Sequence, residues 1–216
     1  MRRPWIKVCG ITRPEDARAA VEAGAHALGF ILHEASPRRV DPDVARGITR
    51  DLPEGIARVG VTVSQTPDTV RAWVEDLGLT AIQAHGNETP ETCRAYGVPV
   101  VKALRASPGK RPADFGMWRG MPVLLDAYHP DLLGGTGRTA DWDLAAALRE
   151  DGFRLLLAGG LGPGTVGEAV GRVHPLGIDL NSAVEIAPGI KDPRALRLAI
   201  SEIPGEDPPD KETWPW

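Results

Sequence analysis

The amino-acid sequence predicts a single (β/α)8 barrel, in which eight parallel strands close into a cylinder surrounded by helices. Three observations support this fold class. Short apolar, β-branched segments recur along the chain, as in strands that are buried on both faces of a parallel sheet. Most of these segments precede apolar residues spaced three and four apart, the pattern of an amphipathic helix. Capping residues also precede prolines repeatedly, which marks helix starts.

Eight segments are predicted to form the strands, and the fourth of them is the weakest. In chain order they are Trp5–Cys9, Ala27–Ile31, Ala57–Val63, Ala81–Gln83, Val98–Ala103, Val123–Asp126, Leu155–Ala158 and Ile178–Leu180. A strand followed by a helix, repeated this often, favours a closed barrel. A doubly wound open sheet, which would contain fewer such units, is the alternative fold.

Helix starts are predicted where a capping side chain comes directly before a proline. The side chain accepts hydrogen bonds from the free backbone N–H groups of the first turn, and the fixed φ of proline suits the first helical position. Thr12 and Glu15 predict a further start through a capping box. The segment 106–120 is rich in Pro, Gly and charge, which predicts a degenerate helix. The four cap-and-proline pairs are Asp41-Pro42, Thr66-Pro67, Thr89-Pro90 and Asp192-Pro193.

Length and composition limit the domain organisation and the partners. The 216 residues are near the lower end of the range for a barrel, so residues 1–203 are expected to form one catalytic domain. Residues 204–216 contain Pro, acidic residues and two Trp without periodicity, which predicts a loosely packed tail. The net charge of -4 disfavours nucleic acid. Apolar stretches are too short for a membrane span.

The cellular setting is predicted from the same composition. Neither a membrane segment nor a secretory signal is recognisable, so the cytoplasm is the expected compartment. Cys9 and Cys93 have no Cys-x-x-Cys or Cys/His spacing, and the sequence therefore predicts neither a disulfide framework nor a zinc site. Whether the barrel is a monomer or a homodimer is left open by the sequence.

Active residues of such barrels gather at the carboxyl ends of the strands. Cys9 ends the first strand and is a candidate base, although a buried packing cysteine is the commoner alternative. Lys7 lies on the same face of that strand and could favour the thiolate. An ion pair of Lys7 with Asp126 or Asp179 is an equally good interpretation. The strand ends also supply His33, Ser64, His85, Lys102, Asp126, Gly159, Gly160, Asp179 and Asn181.

Asp126 is the second candidate for acid/base chemistry. It follows a fully apolar strand, where a carboxylate is costly unless it is paired or used. A salt bridge and a metal ligand are the alternatives, and the sequence around it supplies no further ligands for a metal. Across a barrel mouth from Cys9, a protonated Asp126 would complement a thiolate base.

Three segments are candidates for ligand binding. Gly159 and Gly160 follow the seventh strand, and the segment 179–185 follows the eighth, which is where barrels often bind phosphate. Gly135 belongs to a glycine-rich sixth loop that either closes over a ligand or only connects elements. Arg38 in the second loop is suited to bind a carboxylate. His85 either assists binding or makes a structural hydrogen bond.

Together these segments resemble the phosphoribosylanthranilate isomerase family, in the family's order and over roughly residues 5–203. One departure is Asn181-Ser182-Ala183, where many relatives have Ser-Ser-Gly, although the Asn-Ser-Ala form also occurs in the family. The matching segments are Lys7–Thr12, Ser36–Arg38, Ile82–Gly86, Leu124–Asp126, Gly134–Gly137, Ala158–Leu161, Asp179–Glu185 and Pro188–Asp192.

The resemblance implies an Amadori rearrangement of a phosphorylated sugar-anthranilate substrate in tryptophan biosynthesis, with no cofactor and no metal. It implies that Asp126 is the general acid, Cys9 the general base and Arg38 the ligand of the anthranilate carboxylate. Asp179 would meet a sugar hydroxyl. Backbone amides around Gly159, Gly160, Ser182 and Ala183 would hold the phosphate.

Two other functions are compatible with this fold. The related isomerase of histidine biosynthesis performs the same rearrangement on a larger substrate. That type of enzyme looks to use a carboxylate where this chain has Cys9, so the thiol argues against this alternative. A catalytically silent phosphate-binding barrel is the second alternative, because one fold supports many functions.

Overall fold

The computed structural model describes residues 2–107, 109–126, 142–205 and 214–215. Eight parallel strands pair in sequence order, and the eighth pairs with the first to close the barrel. The predicted fold class is therefore confirmed, and the open sheet is excluded. The strands are β1 Trp5–Cys9, β2 Ala27–Ile31, β3 Ala57–Thr62, β4 Ala81–Ala84, β5 Val100–Arg105, β6 Val123–Asp126, β7 Leu155–Ala158 and β8 Gly177–Leu180.

The fifth strand is the one whose predicted limits differ most from the structure. It begins at Val100, not Val98, and continues to Arg105. Pro99 lies between the predicted and the observed start, and it has no N–H group to contribute to the strand ladder. The weak fourth segment does form a strand, and its Ala84 pairs with Lys102.

Seven α-helices surround the described part of the barrel. The side chains of Asp41, Thr66, Thr89 and Asp192 each accept a hydrogen bond from the first turn of the following helix, as predicted. The helices are α1 Pro14–Glu22, α2 Pro42–Asp51, α3 Pro67–Asp76, α4 Pro90–Arg94, α5 Trp142–Glu150, α6 Val166–Val173 and α7 Pro193–Ser201. Not one of these helices reaches the length and apolarity needed to cross a membrane.

The predicted capping box of α1 is wrong. Arg13 is the N-cap residue of this helix, and it makes no side-chain capping bond. The Thr12 hydroxyl instead donates to the Gly189 carbonyl at 2.5 Å. Gly189 lies in a small hairpin formed by β9 Glu185–Ala187 and β10 Ile190–Lys191, so Thr12 joins the first loop to this hairpin.

The predicted degenerate helix is a 3-10 helix, Pro112–Trp118. A second 3-10 turn, Ser182–Val184, follows β8 and leads into the β9–β10 hairpin. These short elements were not predicted because three residues cannot display a helical or strand period. They matter because they place the loop after β8 over the end of the barrel.

The barrel interior and the layer between strands and helices form two separate apolar clusters. Along β1, Ile6 and Val8 pack outward against the helices, and Trp5 packs inward. Because strand residues alternate between faces, Lys7 and Cys9 point into the barrel with Trp5. Trp214 of the tail contacts Trp5 edge-on at 4.4 Å between ring centroids, at the end of the barrel where β1 begins.

A buried ion pair joins the middle of β5 to the loops that follow β3 and β4. Lys102 Nζ donates to Glu88 Oε2 at 2.8 Å and to the Ala84 carbonyl at 3.1 Å. Glu88 accepts the backbone N–H groups of Ser64 at 2.7 Å and Gly86 at 2.9 Å. Lys102, a candidate for chemistry in the sequence, therefore fixes the loops after β3 and β4.

We predict that Lys102→Met lowers the free energy of unfolding by about 3 kcal/mol near neutral pH, because it leaves Glu88 charged and buried without its cationic partner. Burial raises the pKa of Glu88, but the hydrogen bond from Lys102 and the backbone donors outweigh it and hold this pKa below its usual 4.5. A carboxylate with a lowered pKa stabilises the fold above that value and loses the effect as pH falls. The difference between variant and parent should therefore shrink in acid.

Urea unfolding from neutral to acidic pH measures this difference. The matched control is Asp76→Asn, which removes a carboxylate from the exposed pair with Arg46 and should change stability little. Equal effects of the two substitutions would contradict the assignment of the Glu88–Lys102 pair as a stabilising element.

Candidate active site

A cavity of about 270 Å³ opens at the carboxyl ends of the strands. Nine of the residues selected from the sequence line it, so the fold brings together side chains that are distant in the chain. These nine are Cys9, His85, Asp126, Gly159, Gly160, Asp179, Asn181, Ser182 and Ala183; the rest of the lining is Ile31, Val61, Gln83, Leu124, Ala158 and Leu161.

Cys9 lies beside a buried ion pair. Lys7 Nζ donates to Asp179 Oδ2 at 2.9 Å, and both side chains are buried. This pair decides between the two ion-pair partners that the sequence left open. Gly29 of β2 provides the space, because a Cβ atom there would lie 2.8 Å from Cys9 Sγ and 3.0 Å from Lys7 Nζ.

The protonation of Cys9 depends on this environment. Burial raises the pKa of the thiol above its ordinary value, the positive charge of Lys7 opposes that rise, and the negative charge of Asp179 reinforces it. Burial lowers the pKa of Lys7, but the attraction of Asp179 and Cys9 outweighs this effect and raises it. Lys7 is therefore a permanent positive charge within reach of the thiol.

Asp126 and His85 lie on the other side of the cavity. Asp126 ends β6, which is separated from β1 by β7 and β8 around the barrel. Burial lowers the pKa of His85, and the nearby Asp126 carboxylate opposes this change. The Gln83 side-chain nitrogen lies 3.4 Å from His85 Nδ1. A neutral imidazole and a carboxyl group thus face the cavity opposite the thiol.

The loops after β7 and β8 form one wall of the cavity. Gly159 and Gly160 have φ of 92° and 66°, a backbone conformation that favours glycine. A Cβ atom at Gly162 would lie only 2.7 Å from the Ala183 Cβ atom, so the two loops are in direct contact. The two segments that the sequence selected for phosphate binding therefore meet at one place.

Lys7, a predicted binding residue buried beside Cys9, does not line this cavity, and neither does Arg38, the predicted ligand of the carboxylate. Its guanidinium forms an ion pair with Glu185, with 2.9 Å between Arg38 Nη2 and Glu185 Oε2. It lies next to the cavity wall, because a Cβ atom at Gly10 would be 3.2 Å from Arg38 Cδ and 2.9 Å from Asn181 Oδ1. Gly135 lies outside the described residues.

Sequence reasoning selected neither Gly29 nor Lys191 for the site, and it gave Glu185 no role beyond its place at the end of the segment 179–185. Lys191 is buried and donates from Nζ to Glu185 Oε1 at 2.8 Å and to Asn181 Oδ1 at 3.0 Å. The one available signal for Lys191 was its place in the segment Pro188–Asp192, which matches the family resemblance. Nothing local in the sequence distinguishes Gly29 from a turn glycine.

The closed barrel and its polar cavity define the class of protein: a (β/α)8 barrel whose cavity lies at the end where enzymes of this fold carry their catalytic residues. The sequence profile of N-(5'-phosphoribosyl)anthranilate (PRA) isomerases matches residues 6–202. The chain belongs to this family.

Relatives and solved structures agree with this assignment. An N-(5'-phosphoribosyl)anthranilate isomerase of Citrifermentans bemidjiense is 44% identical over 197 residues, which cover 91% of this chain and 95% of the relative. The phosphoribosylanthranilate isomerase of Thermotoga maritima superimposes with a TM-score of 0.83 at 37% identity, covering 92% and 98% of the two chains.

A further structure of such an isomerase holds reduced 1-(o-carboxyphenylamino)-1-deoxyribulose 5-phosphate. Its TM-score is 0.81 at 35% identity, with 92% of this chain and 97% of that chain covered. The molecule bound in that relative contains both a carboxylate and a phosphate, the two anionic groups for which the sequence analysis selected separate binding segments.

We predict opposite changes in the pKa of Cys9 for two substitutions of the buried pair. Lys7→Gln removes the positive charge and should raise the thiol pKa, so that less thiolate is present at any given pH. Asp179→Asn removes the negative charge and should lower the thiol pKa. Thiolate absorbance in the ultraviolet, titrated against pH, measures both changes.

The Cys9→Ser variant supplies the background signal of Cys93 in this titration. A shift of the same sign in both charge variants would contradict the assignment, because it would show that loss of packing and not loss of charge controls the thiol.

Proposed function

We propose that this chain converts N-(5'-phosphoribosyl)anthranilate into 1-(o-carboxyphenylamino)-1-deoxyribulose 5-phosphate, the Amadori rearrangement of tryptophan biosynthesis. The observation that carries the proposal is the position of Cys9 and Asp126 on different sides of one cavity. A wall of glycine-rich loops adjoins them. Family membership supports the same reaction.

The first step is ring opening. In the proposed reaction Asp126, in its protonated form, donates a proton to the furanose oxygen. The C1′–O bond breaks as the anthranilate nitrogen lone pair forms a C1′=N bond, which gives an iminium ion. A carboxyl group can act as the acid here because Asp126 lies at the cavity surface, within reach of a bound ligand.

The second step is proton abstraction. The iminium ion makes the C2′ proton acidic, and Cys9 as thiolate removes it, so that the electrons of the C–H bond form C1′=C2′ and return to nitrogen. The resulting enolamine becomes the ketone when its hydroxyl loses a proton and C1′ gains one. Lys7 favours the thiolate that this step needs, which is the role we propose for its contact with Cys9.

Substrate binding is proposed at three places. Backbone amides around Gly159, Gly160, Ser182 and Ala183 hold the phosphate, supported by the contact between their two loops. Asp179 Oδ1 is buried and accepts no hydrogen bond from the described residues, which supports its proposed contact with a sugar hydroxyl. Arg38 is proposed to bind the anthranilate carboxylate. Asn181, His85 and Gly135, the last of which lies outside the described residues, complete the predicted set.

The proposed setting is the cytoplasm, since Cys9 acts only as a free thiol, which a reducing compartment maintains. The enzyme class proposed is an intramolecular oxidoreductase, in which C1′ is reduced and C2′ is oxidised within one molecule. Monomer or homodimer remains the predicted oligomeric state.

We predict that the pure protein removes the fluorescence of freshly prepared N-(5'-phosphoribosyl)anthranilate. Cys9→Ser and Asp126→Asn should each lower kcat by at least about a hundredfold, because a general acid or base typically contributes two to four orders of magnitude. Binding of the reduced product analogue should change much less, since each variant keeps the binding segments intact.

The matched control is Cys93→Ser, which alters the other cysteine, buried at α4, and should retain turnover. A parent protein that binds the analogue without consuming the substrate would instead support the silent phosphate-binding barrel. Turnover that survives both catalytic substitutions would contradict the acid/base pair.

A further inference from the structure

The guanidinium group of Arg38 contacts an acidic side chain, that of Glu185, and does not line the cavity. Arg38 Nε lies 2.9 Å from Glu185 Oε2 and 3.1 Å from Oε1, and Arg38 Nη2 completes the ion pair. The Glu185 side chain is 3% exposed, against 23% for Arg38. An almost fully buried carboxylate therefore forms an ion pair with an arginine that is partly exposed to solvent.

We infer that Glu185 is a positioning residue, which fixes Arg38 so that its free edge recognises the carboxylate of the substrate; this inference rests on the function proposed above. A guanidinium is planar and offers two edges to an anion, Nε with Nη2 and Nη1 with Nη2. Glu185 occupies the first edge. Among the described residues, Nη1 donates no hydrogen bond, so the second edge remains for a ligand.

Lys191 completes the charge balance of this cluster. Arg38 and Glu185 alone would be neutral together and would attract a further anion weakly. The buried Lys191 ammonium, 2.8 Å from Glu185 Oε1, adds a second positive charge, so the cluster of Arg38, Glu185 and Lys191 has one positive charge in excess. A carboxylate that binds Arg38 would bring this cluster to neutrality.

The cluster is held rigidly at the edge of the cavity. Lys191 Nζ also donates to Asn181 Oδ1 at 3.0 Å, and Asn181 lines the cavity. Glu185 Oε1 accepts the Gly189 N–H at 3.2 Å, while the Lys191 N–H donates to Asp16 Oδ2 at 3.1 Å. Glu185 and Lys191 belong to the same hairpin, β9–β10. The ion pair with Glu185 therefore attaches Arg38 to an ordered element of secondary structure.

The specificity that follows concerns the aromatic part of the substrate. The cluster selects a ring that bears a carboxylate, as in anthranilate, over the same ring without one. Its expected effect is on binding, because Arg38 and Glu185 do not line the cavity that Cys9 and Asp126 share. The comparison substrate is N-(5'-phosphoribosyl)aniline, which has the sugar phosphate and ring but no carboxylate.

The experiment measures KM and kcat with both substrates, using chromatography to quantify the product formed. The proteins compared are the parent, Glu185→Gln, Arg38→Ala and the double variant. For the anthranilate substrate, Glu185→Gln should raise KM about tenfold with kcat within about twofold. The substitution removes the charge-assisted contacts that orient Arg38, and this loss is expected to exceed the gain in net positive charge. With the aniline substrate its KM should equal that of the parent. In the Arg38→Ala background, Glu185→Gln should add no further loss.

Circular dichroism at the assay temperature verifies that each variant is folded, and Asp76→Asn on the outer helices is the control for removal of an acidic partner. Should Glu185→Gln fail to fold, Glu185→Asp, which keeps the charge but shortens the side chain, takes its place in the same cycle. Equal KM changes for both substrates, or additive losses with Arg38→Ala, would overturn the inference. A parent that turns over neither substrate would overturn the proposed function itself.

Discussion

The buried ion pair of Lys7 and Asp179 is the constraint on which the site depends. Two charges removed from water stabilise a protein only when they are close to each other and well bonded, and here 2.9 Å separates Lys7 Nζ from Asp179 Oδ2. The pair requires that β1 and β8 be adjacent, which only closure of the barrel provides. The same closure places Cys9 within the field of both charges.

The rim cluster, which consists of Arg38, Glu185 and Lys191, differs from the interior pair in its net charge. Lys7 and Asp179 balance each other, so the interior changes the behaviour of a thiol without creating net charge. The rim cluster is left unbalanced beside the cavity. The two arrangements are coupled, because the Lys191 charge also opposes the rise in the pKa of Cys9. Each arrangement contains a buried lysine paired with a buried carboxylate.

The sequence predicted what depends on local periodicity. Closely spaced apolar residues defined the strands, and cap-and-proline pairs such as Thr66-Pro67 located helix starts. Because strand ends of a barrel meet at one edge, Cys9 and Asp126 could be assigned to one site before their separation was known. Thr12 shows where this reasoning fails: its local pattern matches a capping box, but the distant Gly189 carbonyl is the better partner.

Contacts between distant segments account for the rest. The partner of Arg38 is 147 positions away at Glu185, and no local pattern connects the two. The role of Gly29 depends on Cys9 and Lys7 from the neighbouring strand, so its importance is visible only when the space that a Cβ atom would fill is known. Long-range electrostatic and steric fits of this kind leave no periodic trace in one sequence.

The contact of Trp214 with Trp5 has a practical consequence for how the protein can be handled. Arg154 donates to the Trp214 carbonyl at 3.0 Å, which holds this part of the chain beneath the barrel, beside the start of β1. The cavity opens at the other end, where β1 finishes at Cys9. A purification tag or a surface linker joined to the chain near Trp214 would therefore lie at the end of the barrel away from the mouth, and the protein could be immobilised through it with its entrance unobstructed.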